Sequence, residues 1–305
     1  MATKNQNVGE AKVWLITGCS SGFGRCLIPA VLARGDKVIA TARQISDLSY
    51  IDDENVKVLS LDVTATQDEL HRKALEAKSA FGRIDVLMNN AGYVVSGVWE
   101  ELSPEDAMNE FKTNFFGALN VTRAVLPFMR SRKTGAILFM GSIAGWHNVG
   151  GGGAYGASKS ALEGAVESLS QEVEPLGIRV HIFVLGRFRT NILDAKNKRS
   201  KLDAEKGFAD YAEVKKKLAN MHIATQGAQV GDPLRAAERI VDIARVENIT
   251  KEQAANLPLR IPLGAEAVVI MRKKCEDTLA LLEKWAEFSA SADFQDAKAI
   301  PDYDG

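Results

Sequence analysis

Two side chains four residues apart, Tyr155 and Lys159, are the strongest chemical signal in this chain. In a helix, residues at that spacing project from one face. A free phenol titrates near pH ~10, and a neighbouring ammonium favours the phenolate by Coulomb attraction. Lowering that pKa by roughly 2–3 units takes about 3–4 kcal/mol of differential interaction, and would poise Tyr155 for proton transfer near neutral pH. Ser142, brought alongside by the intervening chain, can hydrogen-bond a carbonyl or hydroxyl oxygen and hold it against Tyr155. A Tyr-x-x-x-Lys pair alone is more often a solvated helix face, so the reading depends on the elements around it.

Those elements alternate strand and helix. Lys12 to Thr17 is a short apolar run that leads into the turn Gly18-Cys19-Ser20-Ser21-Gly22-Phe23-Gly24, and a helical pattern follows through Leu27, Ile28, Val31 and Leu32. Strand, glycine-rich turn and helix is the arrangement that binds a dinucleotide pyrophosphate. Glycines let the backbone approach the phosphates, and the helix N-terminus offers unpaired N–H groups and a positive dipole end. The second strand, Lys37 to Thr41, ends in Ala42-Arg43. An acidic residue there would bind a ribose 2′-hydroxyl and select NAD, whereas the Arg43 guanidinium suits the 2′-phosphate of NADP.

A third strand, Val56 to Leu61, runs into Asp62, and Thr66-Gln-Asp-Glu69 opens a helix expected to stop near Gly82. The fourth strand, Ile84 to Met88, ends in Asn89-Asn90-Ala91-Gly92, small residues suited to the crevice beyond the strand ends of an open parallel sheet. Ser103-Pro-Glu-Asp106 caps a long helical stretch that carries Asn114 and ends near Arg132. Asparagine is a mediocre helix former, so Asn114 is either a surface residue or a buried polar one. Strand five, Ala136 to Met140, delivers Ser142. The fold class expected is α/β: one Rossmann-type, doubly wound domain with a mostly parallel sheet of about seven strands and helices on both faces.

Composition agrees with a soluble globular chain. The 305 residues are 46% hydrophobic and 25% charged, and the formal net charge of -1 offers no global attraction to nucleic acid or anionic membrane. No apolar run reaches the roughly 18 residues of a membrane span, and the opening Met1 to Asn7 lacks a signal-peptide core. Cys19, Cys26 and Cys275 follow no metal spacing and cannot all pair, so no metal is expected and a reduced, cytoplasmic setting is.

Thr17-Gly18-x-x-x-Gly22-x-Gly24, Asn89-Asn90-Ala91-Gly92, Asn114, Ser142 and Tyr155-x-x-x-Lys159, in this order, resemble the short-chain dehydrogenase/reductase family in its ordinary, non-extended branch. The likeness is close from about residue 13 to residue 190. It implies that Ser142 orients the substrate oxygen, Tyr155 is the acid/base, and Lys159 lowers its pKa and holds the nicotinamide ribose. It also implies that Asn114 anchors a proton-relaying water. Gly18, Gly22 and Gly24 would make the pyrophosphate turn, Asp62 would contact adenine, Asn90 would sit beside the adenosine ribose, and Thr17, Ser20, Ser21, Phe23, Ala91 and Gly92 would be further cofactor contacts. After strand six, Arg179 to Val184, the family usually has Pro-Gly where this chain has Leu185-Gly186, while Thr190 matches a threonine that touches the carboxamide. Losing the proline removes a rigid φ but keeps the glycine turn.

Residues 10–190 thus read as the cofactor-binding and catalytic core, 191–235 as a substrate-side lid and 236–305 as a C-terminal helix-strand-helix and tail. The lysine-rich run from Lys196 to Lys217 is interrupted by Asp203, Glu205, Asp210 and Glu213, which reads as a solvated helical lid rather than a nucleic-acid patch. Gly231-Asp-Pro233 caps a helix to about Arg245, Leu259 to Leu263 is a last strand, and an amphipathic helix runs from Val268 to Phe288. Leu162, Val166, Leu169 and Val173 continue the reactive helix as a core stripe, while Ala157, Ala161, Gly164, Ala165 and Ser168 form a small-residue face on which related enzymes dimerise. His147 is a surface or pocket-lining residue, not a base. Tyr93, Val94, Val95 and Phe188, with the loop from Trp146 to Gly153, suggest an apolar substrate.

The expectation is an NADP-preferring oxidoreductase, with NAD the weaker cofactor, that interconverts a carbonyl and an alcohol of a hydrophobic small molecule such as a steroid, retinoid or secondary metabolite. It would work as a homo-oligomer, a dimer or tetramer. A non-catalytic redox sensor is the rival reading, opposed by the intact set of Asn114, Ser142, Tyr155 and Lys159. A lyase or epimerase is disfavoured by the glycine spacing.

Overall fold

The computed structural model describes residues 10–193, 198–203 and 205–294. Lys196, the opening Met1 to Asn7 and the tail beyond 294 lie outside the described residues. In chain order the elements are β1 (Val13–Ile16), α1 (Gly22–Leu32), β2 (Lys37–Ala42), β3 (Val56–Ser60), α2 (Gln67–Phe81) and β4 (Val86–Asn89). Then come β5 (Val94–Ser96), α3 (Pro104–Phe111), α4 (Ala118–Arg132), β6 (Gly135–Met140), α5 (Gly153–Val173) and β7 (Ile178–Leu185). The chain continues with β8 (Lys198–Ser200), α6 (Ala212–Thr225), α7 (Pro233–Arg245), α8 (Lys251–Ala255), β9 (Arg260–Leu263) and α9 (Ala265–Ala290).

Seven strands form one parallel sheet in the order β3-β2-β1-β4-β6-β7-β9. The chain starts in the middle, winds to β3, then returns past β1 to wind the other way, so the order reverses between β1 and β4. Both faces are covered, which is why the strands are near-continuous apolar runs. Val13 and Leu15 point into the core under α2, α4 and α5, whereas Trp14 and Ile16 point into the core under α1 and α7. The stripe Leu162, Val166, Leu169 and Val173 anchors α5 in the first of these.

Local signals in the sequence set most boundaries. Thr66 Oγ1 accepts from the Glu69 N–H to open α2, which stops at Gly82 in the left-handed region. Ser103 and Asp106 form a reciprocal capping box at α3, and Asp232 caps α7 through the Leu234 and Arg235 N–H groups.

One expectation is corrected and two are refined. The helical stretch from Ser103 to Arg132 is unbroken but not uniform, because Lys112–Gly117 is a π-helical turn between α3 and α4. A Cβ on Gly117 would lie 2.8 Å from Val63 Cγ2, so only glycine lets the widened turn reach the loop after β3, and the same turn carries Asn114 inward. The lysine-rich run is not a uniformly solvated helix: β8 pairs with β5, and Lys215 on α6 is fully buried against Glu101. Finally, the last amphipathic helix is present as expected, as α9, but Ala267 is the one buried residue along it. No helix among the described residues is long and apolar enough to cross a membrane.

Candidate active site

The carboxyl ends of β1 and β4 are stitched together where the strand order reverses. Thr17 Oγ1 accepts from the Asn90 and Ala91 N–H groups at 2.9 and 3.0 Å, and the Asn90 amide donates to the Thr17 and Gly18 carbonyls at 2.8 and 3.0 Å. The glycine turn is packed against this stitch. Gly18 has φ +72 and a Cβ there would lie 2.9 Å from Ala91 Cα, while a Cβ on Gly24 would lie 2.2 Å from the Gly18 carbonyl oxygen. Ser21 is the N-cap residue of α1 but its side chain makes no capping hydrogen bond, so first-turn N–H groups remain free to meet an anion.

Beside the turn lies a cleft of about 450 Å³, lined by Gly18, Ser20, Ser21, Gly22, Phe23, Arg43, Asp62, Asn90, Ala91, Gly92 and Thr190 among the residues expected from sequence. Arg43 stands at the end of β2 and makes no ion pair among the described residues. Asp62 uses one oxygen on the Thr64 N–H and hydroxyl. Gly24 and Thr17 act behind this lining, and Gly186 sits off it with its N–H on the Leu263 carbonyl at 3.0 Å. The loop with Leu185 in place of proline is therefore still held, and Phe188 packs edge-on against Phe23 at 5.2 Å.

Ser142 caps a short 3-10 turn after β6, accepting from the Ala144 N–H at 3.1 Å, and its hydroxyl lies near enough to Tyr155, in the first turn of α5, to favour the phenolate. Lys159 is one turn on. Its Nζ is 5.8 Å from the Tyr155 ring centre and donates to the Met140 carbonyl at 2.7 Å. Asn114 braces the neighbouring loop: its amide donates to the Tyr93 carbonyl at 2.9 Å and to Ser158 Oγ at 3.3 Å. Thus β6, α5 and the π-helical turn bring all four expected residues together.

The family profile described as short chain dehydrogenase matches residues 12–201. The chain belongs to the short-chain dehydrogenase family. Oxidoreductase calM of Penicillium decumbens is 33% identical over 94% of this chain and 95% of its own. The 3-ketodihydrosphingosine reductase of Bacteroides thetaiotaomicron is 39% identical over 62% of this chain and 68% of its own. A short-chain dehydrogenase structure from Streptomyces avermitilis superposes with TM-score 0.81 at 35% identity, covering 93% of this chain and 99% of that one. One from Burkholderia cenocepacia, solved with NADP, gives 0.66 at 25% identity, covering 90% and 97%. Membership makes the protein an NAD(P)-dependent dehydrogenase or reductase.

In this short-chain dehydrogenase the phenol's environment differs from the sequence expectation. Burial pushes Tyr155 up to about 12, the Ser142 hydroxyl opposes that rise, and the nearby Glu110 charge adds to it. The Lys159 ammonium, 5.8 Å from the ring centre, donates to the Met140 carbonyl rather than to the phenol. Burial pushes Lys159 down to about 8, against the charges of Glu110 and Glu163.

Glu110 went unnoticed in the sequence. It is fully buried in the last turn of α3, four residues before Asn114, and burial raises it to about 7 against its Val95 hydrogen bond and the Lys159 charge. Asn109, Lys112 and Thr113 also line the cleft of this dehydrogenase. Their three- and four-residue spacing on one side of the α3 end was the available signal. The apolar wall is relocated as well. Val94, Val95 and Phe188 are buried in packing, and only Tyr93 of that group lines the cleft. Exposed apolar surface instead gathers at the N-terminus of α5, where Trp99 is so close to Gly153 that a Cβ there would lie 2.4 Å from its Nε1. His147 is exposed.

Proposed function

We propose that this enzyme is an NADP-dependent oxidoreductase that interconverts a carbonyl and an alcohol on a hydrophobic small molecule, with Tyr155 as the acid/base. The observation that carries the reading is buried Lys159 one helical turn behind Tyr155, its Nζ 5.8 Å from the ring centre, with the Ser142 hydroxyl on the phenol's side. The substrate oxygen would sit between the Ser142 and Tyr155 hydroxyls. In reduction Tyr155 gives its proton to that oxygen, and in oxidation it takes one from the alcohol. A phenol held near 12 keeps its proton at neutral pH, which favours the reductive direction there. Lys159 then stands behind the ring as a proton source, and Asn114 holds the Tyr93 loop in register with α5.

The cleft fits the cofactor on its own geometry. Gly18, Gly22 and Gly24 leave a cradle that a Cβ would fill or distort, and α1 presents its uncapped N-terminus to it. Ser20, Ser21 and Phe23 complete the pyrophosphate turn, Arg43 is the partner for a 2′-phosphate, and Asp62 and Asn90 flank the adenosine. Ala91 and Gly92 would continue the cofactor wall from Asn90, Gly186 and Thr190 would border the nicotinamide half, and Lys159 would hold its ribose. When bound, the nicotinamide supplies or accepts the hydride. The NADP of the Burkholderia cenocepacia relative supports the same choice.

The substrate class rests on the mouth above Tyr155. Trp99, Val149, Val214 and Ile192 are exposed apolar side chains, and a Cβ on Gly150 would lie 3.0 Å from Val214 on α6. A long-chain ketone or a fused-ring alcohol fits such walls better than a small polar aldehyde, and the 3-ketodihydrosphingosine reductase is a relative whose name denotes a lipid ketone. We place the enzyme in the cytoplasm, consistent with three free cysteines. The exposed small-residue face of α5, where Gly164 has open space above it, supports assembly as a dimer or tetramer.

The test is consumption of NADPH and of NADH against a panel of hydrophobic ketones and small aldehydes, with the wild type and Arg43→Ala. The reading expects hydrophobic ketones and NADPH to lead, and Arg43→Ala to raise the NADPH KM while leaving that of NADH unchanged. Preference for small polar aldehydes, or an unchanged cofactor ratio in the variant, would contradict it.

A further inference from the structure

Beyond the α5 face, the last helix carries a surface of its own. It is 26 residues long, about 39 Å at the usual rise per residue, and nearly all of it stands clear of the domain. Val268, Met271, Cys275, Leu279, Leu282 and Trp285 recur at three- and four-residue intervals and so form a single stripe, all but partly covered Met271 exposed. Phe288 is 70% exposed and packs edge-on against Trp285, which widens the stripe at its far end. Such a face on a free helix has nothing to compensate its hydration.

The flanking charges choose the occupant. Arg272, Lys273 and Lys274 cluster towards the start of α9, whereas Glu276, Asp277, Glu283 and Glu287 weight its middle and end with acid, against Lys284 alone. Lys273 is paired with Asp277, but neither Arg272 nor Glu283 makes an ion pair among the described residues. Arg272 and Glu283 are eleven residues apart, close to three full turns, so both border the stripe on the same side. A parallel second helix would leave Arg272 and the other copy's Glu283 on opposite sides of the seam and about three turns apart. An antiparallel one sets Arg272 beside Glu283 of the other helix and crosses near residue 277, the midpoint of the stripe.

We propose that α9 is an interface for a second copy of this chain, packed antiparallel with Arg272 meeting the other copy's Glu283. The stripe's ends meet, Val268 against Trp285 of the other copy, and its centre closes around Cys275 and Leu279. A stable interface buries roughly 1,200–2,000 Å² in total. Aromatic side chains bury about 150–250 Å² each, so two copies of Trp285 and Phe288 with the leucines between them reach that range. An anionic lipid surface is the poorer occupant, because the acidic half of α9 would be repelled from it.

The experiment is sedimentation velocity on the full-length protein with Leu282→Glu, Arg272→Glu and the swap Arg272→Glu/Glu283→Arg, each checked for native circular dichroism. The expected result is that Leu282→Glu halves the assembly mass. Arg272→Glu should weaken association about tenfold, since two symmetric pairs are reversed, and the swap should restore it. An unchanged mass in Leu282→Glu, a monomeric wild type at micromolar concentration, or a swap no better than the single reversal would each overturn the proposal. So would a monomer that cosediments with phosphatidylglycerol vesicles, which would assign the face to lipid.

Discussion

Glu110 accepts a hydrogen bond from the Val95 N–H at 2.8 Å through one carboxyl oxygen, while its other oxygen is buried without a partner among the described residues. A short strand and the end of α3 are thereby fixed to each other immediately behind Lys159. The arrangement places an acid that prefers its proton beside a lysine that prefers to lose one.

Glu110 makes stability depend on pH with a definite sign. Its folded pKa is raised from 4.5 to about 7, so the folded state holds a proton that the unfolded chain releases. Its contribution is full below the unfolded value and is lost as pH rises from there through about 7. Glu110→Gln keeps the acceptor for Val95 and removes the titration. Relative to wild type it should gain about 1–3 kcal/mol of unfolding free energy between pH ~5 and pH ~7.5 in urea melts. A constant difference across that range would refute the assignment.

The phenol sets the pH dependence of turnover. Because Tyr155 is raised to about 12, alcohol oxidation, which needs the phenolate, should climb about tenfold per pH unit through the neutral range. Ketone reduction should stay flat there and fall only in strong alkali. Initial rates in both directions across one buffer series check this, and a neutral-pH plateau for oxidation would contradict it.

Gly24→Ala should damage the nucleotide turn selectively. The new methyl would lie 2.2 Å from the Gly18 carbonyl and 2.8 Å from the Asn90 amide, so the turn must move. The expected cost is about 1–3 kcal/mol in stability and at least about tenfold in NADPH affinity. Thermal melts with a fluorescence titration of NADPH measure both.

Lys215 ties α6, in the segment expected to act as a lid, to the segment before α3, donating to both oxygens of Glu101 at 2.8 and 3.1 Å. Glu101 also accepts from the Phe208 N–H at 2.7 Å. Lys215→Met should free this side of the lid. The substrate KM should rise several-fold with a smaller change in kcat, and limited proteolysis should cut near residue 208 first. An unchanged cutting pattern would show that the pair does not hold the lid.

The glycine turn and the helix starts were legible because their information is local. Gly18, Gly22 and Gly24 mark a turn that side chains would obstruct, and Thr66, Ser103 and Asp232 announce their helices within three residues. What escaped depends on contacts distant in sequence. Lys215 looks like one more solvated lysine until Glu101, 114 positions earlier, is folded over it. Val94 and Val95 look like pocket walls until β8 and the α5 N-terminus close on them. The π-helical turn at Asn114 rests on Gly117 meeting Val63, a contact invisible to helical periodicity.

The central claim is that Tyr155 moves the proton, and single-turnover kinetics of Tyr155→Phe with saturating NADPH tests it most directly. Phenylalanine keeps the ring beside Lys159 and deletes only the hydroxyl that would donate the proton. The account predicts unchanged NADPH affinity and a loss of about 10²–10⁴ in the rate of ketone reduction. A variant that binds NADPH normally and still reduces the ketone at the wild-type rate would contradict it.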